Sequence, residues 1–552
     1  MSLNFTPAEK AVHYPDDRRF VLGLKPDILI GLALVFLTVV GTSWAQFLIF
    51  GLPEIQSPTE SGESVGFPQW VRLSHWVNFF FLITIIRSGL SILADHPRLY
   101  WNNGCTPGTE WLRFTPVKVP KDRLWTAKDD ARYINPIVGL PGYRHTVGLA
   151  RHWHFIAVPF FVLNGLIFVV LLFNDDHWKK IVPATFQILP QAWAYFVHYA
   201  TFHFPPEPNG FYHYNPLQQL TYFAVIFVLA PVAIVSGMAM SPAIENRFHW
   251  LPKIFGNRQG ARSVHFLVMA SYVIFLVVHV GLVIMTGLKR NMNHITLGTD
   301  SETSSLGIMI GASIVGFTIL FAVFAHWLSW KKPRLLQGAE ATINGNLWKF
   351  SIDRLQPKAY YKKEDITPFF WPNGKIPESR MWRKLSETNF RDFKLKVNGL
   401  VDNPVELSLE DLFALGKEES ITMHHCIQGW SGIAEWGGVP LKQLIEVVRP
   451  HPTATTVVFY SFGEGLYGGV YYDTHSLDNC LKPGSLLAWE MNYQPLPVTY
   501  GAPLRLRVEN QLGYKMVKWV ERIEFVESHS TVGKGFGGKN QDDEYFDLLA
   551  NT

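Results

Sequence analysis

Apolar and polar positions along this chain follow two different regimes. Up to about residue 330 the apolar residues form long runs with few charges, and beyond it they alternate or recur in short stretches. Six of the long runs, at about 27–50, 71–93, 153–173, 217–240, 264–287 and 306–330, reach the roughly 20 residues that a helix needs to cross a hydrocarbon core. The pattern predicts an all-α six-span transmembrane helix bundle over 27–330, behind a tail at 1–26. The first run is long and no small-residue cleavage site follows it, so it reads as a span and not as a signal peptide. After a linker over 331–390 the period changes. Phe393-Lys394-Leu395-Lys396-Val397 alternates and ends on Asn398-Gly399, which predicts a strand and a turn. Ser408 caps a helix start, and further strands are expected at 456–460, 504–509 and 519–524. Residues 391–552 therefore read as a mixed α+β domain.

Charge adds an orientation. The whole chain carries a formal charge of only +4, which points to no nucleic-acid partner. Lys and Arg outside the spans are nonetheless unequally divided. The side holding the tail, loop 94–152, loop 241–263 and the exit from the sixth span has 20, against 5 on the other. Arg18 and Arg19 ahead of the first span read as topology determinants. By the positive-inside rule the tails, loop 94–152 and the C-terminal domain face the cytoplasm of a cell whose inner (plasma) membrane holds the spans. Loop 94–152 is basic and carries Trp101, Trp111 and Trp125, too many aromatics for a disordered linker, and reads as a dock for the C-terminal domain. Three cysteines, Cys105, Cys426 and Cys480, make no disulfide framework.

Histidines inside spans are costly in lipid and point to function. His265 and His279 lie 14 residues apart on the fifth span, nearly four turns, so both face one way and stand about 21 Å apart along the axis. One helix could thus supply one ligand to each of two stacked haems. Span direction selects the partners: His75 near the outer end of the second span pairs with His279, and His154 near the inner end of the third with His265. His152 and His154 are about 200° apart on a helix, so only one can face a given haem. Bis-histidine ligation leaves no open iron position and suits electron transfer.

The remaining chemistry sits in Thr422-Met423-His424-His425-Cys426-Ile427-Gln428-Gly429-Trp430-Ser431, followed by Trp436-Gly437-Gly438-Val439-Pro440-Leu441. A thiolate is a soft metal ligand or a nucleophile, while a lone cysteine is more often plain buried packing. This stretch resembles the molybdenum-binding segment of the sulfite oxidase superfamily, most closely its bacterial methionine sulfoxide reductase branch. The likeness implies that Cys426 binds molybdenum beside a molybdopterin dithiolene. It extends to Leu486-Leu487-Ala488-Trp489-Glu490-Met491-Asn492, Gly501-Ala502-Pro503-Leu504-Arg505-Leu506 and Gly513-Tyr514-Lys515. Arg505, Lys515 and Lys518 offer cations to the cofactor's phosphate and pterin, Gly513 a close backbone approach, and His424 a contact to the cofactor or the cysteine.

The membrane half resembles di-haem cytochrome b subunits of thiosulfate reductases, formate dehydrogenases and nickel hydrogenases, over about 70–295. The resemblance rests on Arg151-His152-Trp153-His154-Phe155, Asn215-Pro216-Leu217-Gln218-Gln219-Leu220-Thr221-Tyr222 and Gly237-Met238-Ala239-Met240-Ser241-Pro242. It favours His154 over His152 and implies exchange with the quinone pool. Together these readings imply a membrane-bound, molybdenum-dependent oxidoreductase with two b-type haems. Its substrate is expected to be a small S-oxide or N-oxide, because Gln428-Gly429-Trp430 stands where sulfite oxidases carry an arginine. Oxidation of a sulfite-like anion, feeding quinone, is the first alternative. A non-enzymatic haem protein of the membrane that only binds or senses is the second.

Overall fold

The computed structural model describes residue 5 and residues 23–55, 66–114, 126–139, 147–205, 213–351, 361–547 and 550. Most of the tail 1–26 lies outside these, with Arg18 and Arg19, as does Trp125. Six described helices are long and apolar enough to cross a membrane: Pro26–Phe50, Gln69–Asp95, Val147–Asn174, Pro216–Ala239, Arg258–Met285 and Leu306–Lys331. Below they are the first to sixth spans. They begin within six residues of the expected starts, and the second and fifth start earlier at Gln69 and Arg258, in polar residues that apolar content alone does not reveal. Leu34, Phe36 and Leu48 on the first span, and Ile274 and Val277 on the fifth, are exposed. Apolar side chains turned outward along spanning helices suit hydrocarbon, not water.

The second span packs along the third and the fifth along the end of the fourth. The fourth carries a π-helical segment at Ala224–Leu229. Pro231 follows it and, having no N–H, cannot close the regular ladder there. The first span leans on a helix of the loop between the third and fourth spans, Ile188–Ala200, through Trp193 Nε1–H to Gln46 Oε1 at 2.9 Å. His198, in the same loop, bonds the Pro53 carbonyl at 2.9 Å. The fifth span starts sharply because the Asn257 side chain accepts from the Gln259 and Gly260 amides, an N-cap that sets the rotation of everything after it.

Loop 94–152 carries a short antiparallel pair, β1 (Arg98–Leu99) and β2 (Leu112–Arg113). Arg98 is buried between Asp130 and Glu110, each at 2.9 Å, so charge pairing orders the loop from within. After the sixth span a linker helix runs over Pro333–Ser351.

The C-terminal domain has two five-stranded sheets. One runs β4 (Val405–Ser408), β3 (Lys394–Gly399), β12 (Val520–Val526), β7 (Thr456–Glu464), β8 (Val470–Ser476), with β3 and β12 parallel. The other runs β10 (Gln494–Pro495), β9 (Leu486–Met491), β6 (Ser431–Pro440), β5 (Glu418–His425), with β11 (Arg505–Arg507) also on β9. The core between them holds Leu395, Val457, Phe459, Leu487, Leu506 and Ile523. Phe370 and Trp371, in the stretch read as linker, belong to the same core. The expected cap is present: Ser408 Oγ accepts from the Asp411 amide at 3.1 Å.

Candidate functional site

The stretch around Cys426 is the tip of the β5–β6 hairpin. His424 and His425 end β5 opposite Gly432 and Ser431. The Cys426 amide donates to the Trp430 carbonyl at 3.1 Å and the Gly429 amide to the Cys426 carbonyl at 3.0 Å. Gly429 has φ +107°, and a Cβ there would lie 3.2 Å from the Arg262 guanidinium, so backbone freedom and close approach both call for glycine. Cys426 is buried, and burial pushes its thiol up to about 12. An uncoordinated thiol there stays protonated, and only a metal would hold it as thiolate at neutral pH.

This tip sits on the membrane domain. Gln259 Nε2–H donates to the Gly429 carbonyl and to Ser431 Oγ, both at 3.0 Å, and Arg258 Nη1–H to the same carbonyl at 3.3 Å. Gln259 is six residues before His265 on the fifth span, a rise of about 9 Å. Loop 94–152 closes the other side: Ser431 Oγ donates to the Asn103 carbonyl at 3.1 Å, and Trp371 Nε1–H to the Cys105 carbonyl at 2.7 Å.

Behind the cysteine, cations crowd together. Arg505 and Arg507 are both buried, lying 4.8 and 4.3 Å from the Trp436 ring centroid. Glu509 takes Arg507 in a two-point pair at 2.9 and 3.0 Å. Arg505 Nη1–H reaches the Tyr500 carbonyl at 2.9 Å, but its Nε is buried with no partner. Desolvation, with Arg505 beside it, holds Lys518 well below the usual ammonium range. Burial, then Arg507 and Arg505, pushes His424 well below the usual imidazole range, so it is neutral and its Nδ1 accepts from Arg507 at 3.0 Å. Arg505 and Arg507 share the one carboxylate of Glu509, and the Lys518 amine beside them donates only to the Asn373 and Thr499 carbonyls, an arrangement that an anion would complete. The donor set fits the phosphate and dithiolene of molybdopterin.

Lys515 is engaged otherwise: its ammonium pairs with Asp473 and donates to the Gly537 carbonyl at 3.1 Å. Gly513 lies over His424, where a Cβ would fall 2.3 Å from the ring Nε2. Gly513→Ala is therefore expected to displace His424 and cost about 1–3 kcal/mol in overpacking. Elemental analysis should find molybdenum content reduced against an unchanged haem spectrum.

Four residues in this region were not singled out by sequence. Phe370 packs at 5.2 Å from His424 and 5.7 Å from Trp430, Trp436 and Tyr500. Arg507 had a signal: two residues from Arg505 on a strand, it shares the same face. His425 is buried with both ring nitrogens unpartnered, and Glu245 Oε2 is 3.9 Å from its Nδ1. Arg258 was counted only as a topology charge.

In the membrane half, the His75 and His279 rings face each other with centroids 6.4 Å apart. Two imidazoles sharing one ion through bonds of about 2 Å have centroids roughly 6 Å apart, so the gap admits a metal. Ser88 Oγ lies 3.1 Å from His154 Nδ1, and Ser236 Oγ lies 3.0 Å from His265 Nδ1. Each of these two histidines is thus oriented through Nδ1 and keeps Nε2 for a metal. Beside each serine is a glycine, Gly89 or Gly237, whose added Cβ would touch the ring at 3.6 or 3.4 Å. His152 points away from this pair, bonding the Tyr545 carbonyl at 2.8 Å.

Fold and site together define a redox protein of the membrane, with a helical bundle bearing histidine pairs and a molybdopterin-type α+β domain seated on its end. Residues 66–296 match the family described as prokaryotic cytochrome b561, and residues 383–532 the one described as oxidoreductase molybdopterin binding domain. The chain joins a cytochrome b561-type multi-pass membrane domain to a molybdopterin-binding oxidoreductase domain of the sulfite oxidase family, related to MsrP and YedZ proteins. It is 30% identical over 182 residues to YedZ1 of Azospira oryzae, named as a subunit of protein-methionine-sulfoxide reductase, covering 33% of this chain and 65% of that one. It is 28% identical over 198 residues to MsrP of Xanthomonas campestris, the catalytic subunit of protein-methionine-sulfoxide reductase, covering 34% and 54%. With MsrP of Gluconobacter oxydans the identity is 35% over 145 residues, covering 24% and 46%. The chain thus spans about half to two thirds of the length of these relatives.

Proposed function

We propose that this chain is a quinol-driven, molybdenum-dependent reductase of a small S-oxide or N-oxide, with its own electron supply. One quinol gives two electrons and two protons and becomes quinone; the oxide takes both, losing its oxygen as water. In this reading His75 and His279 hold an outer haem b, His154 and His265 an inner one, and Cys426 ligates molybdenum. Arg505, Lys518, His424 and the backbone at Gly513 receive the molybdopterin, while Lys515 supports that wall through Asp473. The bound molybdenum would supply two-electron oxygen-atom transfer. The protein's part is to keep the cysteine dry, hold His424 neutral and balance the cofactor's negative charge.

The observation that carries the reading is the hydrogen bond from Gln259 to Gly429. It fastens the cysteine hairpin to the same helix, and the same end of it, that bears His265, which keeps an electron path short.

The nearness of Arg258 gives weight to a second direction. Its charge acts on Cys426 from outside the hairpin. The fold thus returns a cation to a loop that lacks one in sequence, and an oxyanion such as sulfite would find a partner there. Purified holoprotein decides between the two. Reduction of S-oxides or N-oxides with a reduced viologen is expected. Sulfite oxidation coupled to a quinone at ordinary turnover, on the order of 10 per second, with no oxide reduction, would reverse the proposed direction.

The C-terminal domain is proposed to lie in the cytoplasm, on the unequal Lys and Arg count. A cysteine label placed near Lys362 should stay unreacted in intact cells and react in inverted vesicles. Labelling from outside intact cells would overturn the assignment.

A further inference from the structure

His152, Glu340 and Asp547 come from three distant parts of the chain: the start of the third span, the linker helix after the sixth, and the C-terminal tail. All three are buried. His152 Nδ1 is 3.5 Å from Asp547 Oδ1 and 3.8 Å from Glu340 Oε2. The His152 Nδ1 and Asp547 Oδ1 atoms have no hydrogen-bond partner. None of the three belongs to the electron path proposed above, because His152 is turned to the other side of its helix from His154.

The hydrogen bonds around the cluster settle which atoms face inward. The Tyr545 carbonyl can only accept, so His152 Nε2 carries the ring proton and Nδ1 presents its lone pair. Arg151 occupies Asp547 Oδ2 at 2.9 Å, which leaves Oδ1 for the cluster. Asn344 Nδ2–H takes Glu340 Oε1 at 3.3 Å, which leaves Oε2. Three acceptors therefore converge with no donor among them, each oriented by an outer partner on its opposite atom. That is how metal-ligating histidines and carboxylates are held. The spacing also fits. A tetrahedral ion with bonds of about 2.1 Å has ligand edges of about 3.4 Å, close to the 3.5 and 3.8 Å found.

We infer that His152, Glu340 and Asp547 form a binding site for a divalent ion of mixed nitrogen and oxygen preference, such as Zn²⁺ or Mn²⁺. One imidazole and two carboxylates suit that class and do not suit a soft ion. The ion clamps the C-terminal tail and the linker helix to the first turns of the third span, two residues from His154. It serves docking of the two domains and leaves a fourth position to water.

The test uses the full-length, cofactor-loaded protein in detergent, stripped with a chelator and titrated with Mn²⁺ alone. One site per chain is expected beyond the iron and molybdenum, displaced by Zn²⁺. Pulsed EPR of the bound Mn²⁺ should show coupling to a single imidazole nitrogen. Asp547→Asn and Glu340→Gln should each weaken binding at least ~10-fold, the lower end of what losing even an outer partner costs, with the haem spectrum unchanged. Should either variant fold poorly, the nitrogen coupling in the unaltered protein still decides. No Mn²⁺ or Zn²⁺ bound at millimolar concentration, no nitrogen coupling, or affinity in both variants unchanged from that of the unaltered protein overturns the site and leaves a shared proton in its place.

Discussion

Cys426→Ser is expected to abolish molybdenum-dependent turnover while both haem signals persist. Serine matches the thiol in shape, so the β5–β6 hairpin should keep its turn, which rests on backbone bonds between Cys426, Gly429 and Trp430. The hydroxyl is a harder and far less acidic ligand, unsuited to a soft site. Losing the oriented partner of a metal ligand already costs 10–100-fold, so losing the ligand itself should cost more than ~100-fold in oxide reduction. Both histidine pairs lie in the bundle, the nearer about 9 Å of helix rise beyond the docked hairpin, and their spectra should not change. The measurement is viologen-linked reduction beside a reduced-minus-oxidised spectrum. Turnover near that of the unaltered protein would remove Cys426 from the reaction.

His265→Ala should remove one of two haems and cut quinol-driven turnover at least ~100-fold, again by the loss of a ligand. Reduction driven by a small viologen, which can reach molybdenum directly, should survive. His154→Ala should erase the same spectral component, since Ser88 and Ser236 set these two rings in matching fashion. His75→Ala and His279→Ala should erase the other. If His75→Ala and His265→Ala removed one and the same component, the pairing by span direction would fail, and so would the order of the electron path.

How far the chain could be read alone differs between its halves. The spans were legible because lipid forces each one to satisfy its own backbone hydrogen bonds, which leaves a local mark about 20 residues long. The facing of His75 and His279 followed from helix direction, itself a consequence of alternating spans. In the C-terminal half, β3 and the Ser408 cap were legible from alternation and side-chain chemistry, both local. The β5–β6 hairpin carrying Cys426 was not read as strands. In β6 all residues but the last are buried, on both faces, so alternation is lost, as it is in any doubly covered strand. Phe370 and Trp371 fall in the stretch read as linker; their place in the core rests on distant partners, Trp430 and Trp436 for Phe370 and Cys105 for Trp371.

What the sequence by itself determined was everything carried by short-range periodicity and residue chemistry: six spans, the four intramembrane histidines, and the α+β class of residues 391–552. What only the tertiary structure decided was which distant groups meet. Arg258 and Gln259 look like a juxtamembrane charge and its neighbour until they reach Gly429, 171 and 170 residues away. Lys515 resembles Arg505 and Lys518 until Asp473 claims it. His152 and Asp547 lie 395 positions apart in the chain and 3.5 Å apart in space. Such meetings leave no local signature, because their energy comes from burying and pairing groups that the unfolded chain keeps in water, and packing alone selects the partners.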